Sequence, residues 1–130
     1  MAPFASVFVV GVSALDHVQV AAPPGCEDEA RRFYGALLGL EEIDKPEALR
    51  AGGGAWFAAG AQELHVGVTE DFSPALKAHP AFLVSDEAEL HRLAAALEAA
   101  GAESRFDDRD TGRLRLYSED PWGNRIELLV

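Results

Sequence analysis

The sequence predicts an α+β protein in which one β-α-β-β-β module is written twice within a single domain of 130 residues. Three observations predict it. His17 precedes Glu63 by 46 positions (63 − 17) and His79 precedes Glu127 by 48 (127 − 79), so one pair of chemical groups recurs at nearly one spacing. Each half carries one strong helix signal among short alternating segments of strand length. The stretch Thr69 to Lys77, with Pro74 at its middle, reads as a seam between the two modules, residues 14–68 and 78–130, rather than a flexible linker.

The elements follow in order. Ala14 to Ala22 alternates, with Leu15, His17 and Gln19 on one face and Asp16, Val18 and Val20 on the other, and Pro23-Pro24-Gly25 ends it. Glu27 to Leu38 places Ala30, Phe33, Tyr34, Leu37 and Leu38 at helical spacing, with acids in the first turn and Gly39 after the last. Leu40 to Asp44 is a strand and Lys45 to Gly54 a loop with three glycines. Ala55 to Ala59 and Gln62 to Val68 are strands joined at Gly60-Ala61. In the second half Pro80 to Val84 is a strand, and Asp86 with Glu89 resembles a capping box before the run Leu90, Leu93, Ala94, Leu97, which stops at Gly101. Glu103 to Phe106 is a short strand and Asp107 to Gly112 a charged loop. Arg113 to Ser118 and Arg125 to Val130 are strands separated by the turn residues Asp120-Pro121-Trp122-Gly123-Asn124.

Strand parity sorts the side chains, because a strand covered by a helix buries every second residue. Val18 and Val20, Phe57, Leu64 with Val66 and Val68, Phe82 with Val84, Leu114 with Leu116, and Ile126 with Leu128 and Val130 go beneath the helices. That turns His17, Gln19, Trp56, Glu63, His65, His79, Arg115, Tyr117, Arg125 and Glu127 to the opposite face. Three of the four histidines therefore share a face with two carboxylates at matched positions in a repeat. If the halves face one another, two imidazoles and two carboxylates meet, which is a ligand set for a divalent metal.

Composition narrows the function classes. A formal charge of −11 disfavours nucleic acid and anionic membrane surfaces as partners. The apolar run Val7 to Val12 is too short to span a bilayer and has no Lys or Arg before it, so a cytoplasmic protein is expected. The single cysteine, Cys26, excludes an internal disulfide and a Cys-rich zinc motif, leaving nitrogen and oxygen as metal donors.

The segments Asp16-His17-Val18-Gln19-Val20, the Ala30-Arg31-Arg32-Phe33-Tyr34 helix leading to Leu37-Leu38-Gly39-Leu40, Glu63-Leu64-His65, and the run from Asp120 through Pro121-Trp122-Gly123-Asn124 to Arg125-Ile126-Glu127-Leu128 together resemble the vicinal oxygen chelate superfamily. This superfamily includes glyoxalase I, fosfomycin-resistance and bleomycin-resistance proteins, methylmalonyl-CoA epimerase and type I extradiol dioxygenases. The resemblance covers Leu15 to Val130. It implies an open, cup-shaped mixed sheet with helices on its outer face, usually completed in a homodimer, with a metal at the base of the cup. It also implies that His17, His79 and Glu127 are ligands, with either Glu63 or His65 as the fourth.

The two choices lead to different chemistry. With Glu63 the site resembles glyoxalase I, where the ion (Ni, Mn, Fe or Zn here) binds two substrate oxygens and a ligand carboxylate, Glu127 or Glu63, moves the proton. With His17, His79 and Glu127 alone it resembles a facial triad that keeps positions open for substrate. The third possibility within the family is a metal-free, bleomycin-resistance-like protein that binds a small molecule in a dimer groove. Arg115, Tyr117, Gln19 and Trp56 are the candidate substrate contacts, an arginine there being suited to a carboxylate or phosphate.

Overall fold

A computed structural model describes residues 11–109 and 112–130. Residues 7–10 of the apolar N-terminal run, and Asp110 and Thr111 of the charged loop, lie outside the described residues. The elements are β1 (His17–Ala22), α1 (Glu27–Ala30) continuing as a π-helical segment (Arg31–Leu37), β2 (Glu41–Ile43), α2 (Glu47–Arg50), β3 (Ala55–Ala59), β4 (Gln62–Val68), β5 (Ala81–Leu83), α3 (Glu87–Ala99), β6 (Arg105–Asp107), β7 (Arg115–Glu119) and β8 (Arg125–Leu129). They form two four-stranded mixed sheets of the same plan, ordered β1-β4-β3-β2 and β5-β8-β7-β6. In each, the first strand runs parallel to the last and the other neighbours pair antiparallel.

Parity holds through the core. Val20, Phe57, Leu64, Val66, Leu116, Ile126 and Leu128 are buried on the helical side together with Ala30, Phe33, Tyr34, Leu90, Leu93 and Leu97, and one apolar cluster joins both sheets and their helices. Val18 is the exception; at 37% exposed it lies outside that cluster, on the open edge of the first sheet. α3 starts on the expected cap, with Asp86 Oδ1 accepting from the Glu89 amide at 2.8 Å. Only half of a capping box forms, because the Glu89 carboxylate turns outward to Arg92.

Two local expectations need correction. The helix expected over Glu27 to Leu38 is α-helical only to Ala30 and then widens: the Leu38 amide donates to the Phe33 carbonyl at 2.9 Å, five residues back. The apolar spacing could not distinguish the two windings, because both bury Ala30, Phe33 and Tyr34. The segment Lys45 to Gly54, expected to be a loop, contains the single-turn α2, whose fourth residue is followed by Ala51 and the three glycines.

Those glycines dock tightly. Gly54, at φ +86°, sits so close to β4 that a Cβ built on it would lie 2.1 Å from the Val66 carbonyl oxygen. Its amide donates to Glu27 Oε2 at 2.6 Å, and this hydrogen bond is the main reason the Glu27 carboxyl is held below its ordinary value.

A polar lock ties the halves together. Asp120 Oδ1 accepts from the amides of Trp122 and Asn124, and Oδ2 accepts from the Tyr34 hydroxyl and Asn124 Nδ2, all within 2.8 to 3.0 Å. Asn124 Nδ2 also donates to the Ala21 carbonyl in β1, and its Oδ1 accepts from the Ala75 amide. Burial pushes the Asp120 carboxyl above its ordinary value, against the hydrogen bonds from Asn124, Tyr34 and the backbone. Burial, with the neighbouring Asp120 charge, raises the Tyr34 hydroxyl far above its usual range. The turn between β7 and β8 is thus also the joint between the modules.

Candidate metal centre

The first half of the site is assembled by register. His17 pairs with Glu63 across the parallel β1–β4 ladder, Gln19 pairs with His65, and Trp56 of β3 pairs with His65 from the other side. The three rings stack: Trp56 on His65 at 3.8 Å and 3°, and His65 on His17 at 4.1 Å and 16°. This stack buries His65 to 4% exposure and aims its Nε2 at Glu63 Oε1, 2.8 Å away. His17 is more open and its Nδ1 lies 2.9 Å from Asp16 Oδ2. Gln19 lies over Gly67, where a Cβ would come within 2.7 Å of the Gln19 side-chain amide carbon. Trp56 therefore packs directly on the histidine stack, while the Gln19 side chain packs on the backbone of Gly67.

The second half has different support. Glu127 is 5% exposed and pairs with Tyr117 on one side and Ala81 on the other. His79 precedes β5 and reaches the carboxylate from outside the strand, with Nε2 2.9 Å from Glu127 Oε1. Glu127 Oε2 meets Arg115 Nη1 at 3.2 Å. By ladder position Ala81, not His79, corresponds to His17, since Ala81 faces Glu127 as His17 faces Glu63. The histidine offset of 62 (79 − 17) and the acid offset of 64 (127 − 63) express this two-residue difference.

The environment of His79 is informative. The Lys77 carbonyl oxygen, 2.7 Å from Nδ1, can only accept, and so can an ionised carboxylate beside Nε2. A proton on each nitrogen satisfies this arrangement, and so does a cation between Nε2 and the carboxylate. A backbone carbonyl on the far nitrogen is also the usual support of a metal-bound histidine.

The donors fit a divalent ion by type, imidazole nitrogen and carboxylate oxygen without thiolate. Their placement within one chain does not complete a set. Among the described residues no three His, Cys, Asp or Glu side chains gather as a cation would require. Two imidazoles and two carboxylates were expected to meet at one point; one chain holds them instead as separate pairs on separate sheets.

Around the second pair, Tyr117 meets the edge of His79 at 5.8 Å, and the guanidinium carbons of Arg125 and Arg105 lie 4.2 and 5.5 Å from its ring centroid. Arg113 turns away to the Val130 carbonyl. Arg105 escaped the sequence reading because its place beside Tyr117 depends on the β6–β7 register, which brings the two residues directly opposite. The sequence marks Asp120 and Asn124 as turn formers and as part of the run that carries the family resemblance, but not as the joint between the modules. Among the described residues no helix is long and apolar enough to cross a membrane.

Comparison with known proteins agrees with this architecture. Solved structures similar to the chain include a glyoxalase family protein from Bacillus anthracis, 47% identical over 94% of this chain and 98% of that one, with a TM-score of 0.85. A lactoylglutathione lyase from Agrobacterium tumefaciens (24% identity, 91% and 93% coverage, TM-score 0.69) shares the fold. So does the fosfomycin resistance protein FosX from Listeria monocytogenes (19%, 92% and 93%, 0.71). No curated protein matches the chain at a significant level. The family model of the Glyoxalase/Bleomycin resistance protein/Dioxygenase superfamily matches residues 14–128, and with the doubled β-α-β-β-β plan this makes the chain a member of that superfamily.

Proposed function

We propose that the protein is a divalent-metal-dependent enzyme of the glyoxalase or dioxygenase type that acts on a small substrate chelating the ion through two oxygens. The observation that carries this reading is His79, whose Nδ1 is anchored by a backbone carbonyl while its Nε2 faces a buried carboxylate. His79 and Glu127 form one half of the ligand set, and His17 and Glu63 the other. His65 stands behind Glu63 as its positioning residue, because its ring is clamped between Trp56 and His17 and its Nε2 is already engaged by the carboxylate. Glu63 rather than His65 is the fourth ligand, since it occupies the ladder position that Glu127 holds in the second sheet.

Because one chain presents only half-sites, a homodimer completes the set, each centre drawing one half from each copy. The open edges support this: β1 and β5 are edge strands, and Leu15, Val18 and Leu83 are 69%, 37% and 78% exposed near them. The bound ion supplies Lewis acidity toward the substrate oxygens. Glu127 and Glu63, each hydrogen-bonded to an imidazole, are the carboxylates able to take a proton from the substrate.

Metal analysis of untagged protein purified without chelators tests this. About one equivalent of transition metal per chain is expected, after anaerobic loading if needed; less than about a tenth overturns the reading, because such a donor set binds these ions well. Glu63→Ala should weaken binding about 10- to 100-fold or more, and His65→Ala, acting through Glu63, less than Glu63→Ala.

One observation favours a second reading. Arg115 already neutralises Glu127, and an apolar groove of about 690 Å³ lined by Leu15, Val18, Phe82, Leu83 and Val84 lies beside β1 and β5. A metal-free binding protein of the bleomycin-resistance type would use that groove, and the same metal count separates the two readings.

A further inference from the structure

We infer that Arg105, Arg125 and Tyr117 form an oxyanion-binding subsite beside the second carboxylate, which makes the substrate an anion carrying a carboxylate, phosphate or phosphonate group. This deepens the enzyme reading above and rests on it for the word substrate; the binding itself does not require a metal.

The distribution of arginine partners carries the inference. The chain has nine arginines and 22 acidic residues, so a guanidinium without an oxygen partner is unexpected. Arg31, Arg32, Arg92, Arg109 and Arg115 each meet a carboxylate, and Arg50 and Arg113 each donate to a backbone carbonyl. Arg105 and Arg125 alone, among the described residues, make neither contact. Both instead lie against the ring of Tyr117.

A guanidinium held over an aromatic ring by cation–π attraction spends none of its donors on an oxygen, so the contact positions the cation and leaves it able to engage an anion. Two such forks on one ring present planar donor pairs suited to bidentate oxyanion recognition. Their side chains line a cavity of about 480 Å³ together with Tyr117, Ser104 and Ser118. Glu103 and Glu119 line the same cavity, and Glu119 is the direct cross-strand neighbour of Arg125, yet neither acid is within ion-pair distance of either guanidinium. Those two acids disfavour a weakly held anion and reserve the cavity for a group that engages both forks. Tyr117 links the cavity to the proposed chemistry, being paired with Glu127 and in edge contact with His79.

The test is a titration of ¹⁵N-labelled, chelator-treated full chain with inorganic phosphate and, separately, with malonate, following the arginine Nε–H signals. Saturable shifts at Arg105 and Arg125 with either anion, at a dissociation constant in the millimolar range, are expected. Saturation by only one of the two names the oxyanion class. Arg105→Gln with Arg125→Gln should weaken binding about tenfold or more, with a thermal melt confirming that the fold persists. Should that pair of changes unfold the chain, Arg125→Lys, which keeps the charge and removes the fork, is expected to weaken binding as well. Absence of saturation with both anions, or equal binding by the substituted chain, overturns the subsite. Because no metal is present, failure here leaves the metal count untouched, and a missing metal leaves this titration untouched.

Discussion

Asp120→Ala is expected to cost about 3–5 kcal/mol, a large share of the 5–15 kcal/mol typical of a domain. The carboxylate accepts four hydrogen bonds, and removing it strands the Tyr34 hydroxyl, the Asn124 side chain and two backbone amides in a region where Tyr34, Asp120 and Asn124 are 0%, 3% and 2% exposed. The damage is not confined to the turn. Asn124 loses the neighbour that orients its Nδ2 onto the Ala21 carbonyl, so the joint between the modules loosens at both ends. Asp120→Asn keeps the shape but must point an N–H₂ group at one pair of donors, and should cost about 1–2 kcal/mol. Urea unfolding of the three proteins measures this order; a loss below about 1 kcal/mol for Asp120→Ala would show that water replaces the lock.

Gly54→Ala is expected to cost more than about 3 kcal/mol, while Gly60→Ala, also at positive φ, costs about 1–2. At Gly60, φ +62°, a Cβ meets nothing within 4 Å. At Gly54 it would fall 2.1 Å from the Val66 oxygen and 3.3 Å from its carbonyl carbon, backbone atoms that move only if β4 moves. Since β4 carries Glu63 and His65, the displacement should also reduce metal uptake. Equal unfolding midpoints for the two variants would contradict this account. The glycine-rich segment is docked on the body of the protein, with Gly54 fixed against Glu27 and Val66.

Much of this fold was legible because period-two burial is a strong constraint. Once Leu64 and Leu128 must face the helices, Glu63, His65 and Glu127 have only the other face available. The family resemblance rests on four segments taken together, the run from Asp120 to Leu128 above all, although the physical reason for that run was hidden. Composition marks Asp120-Pro121-Trp122-Gly123-Asn124 as a turn, yet the bonds from Asp120 to Tyr34 and from Asn124 to Ala21 span 86 and 103 residues. The π-helical winding was invisible because it leaves the apolar pattern unchanged. The division of the candidate ligands was invisible for a related reason: parity says which face a side chain takes, not where one sheet lies relative to another. Arg105 needed a strand register that a three-residue strand does not announce.

The proposed sharing of each metal centre between two copies of the chain is tested by combining a chain carrying His17→Ala and Glu63→Gln with a chain carrying His79→Ala and Glu127→Gln, refolding the mixture together and counting bound metal. Neither chain alone should hold the ion. Random pairing makes half of the dimers mixed, and each mixed dimer regains one complete centre, so about 0.25 equivalents per chain are predicted. A mixture that binds no more metal than the separate variants would contradict the shared centre.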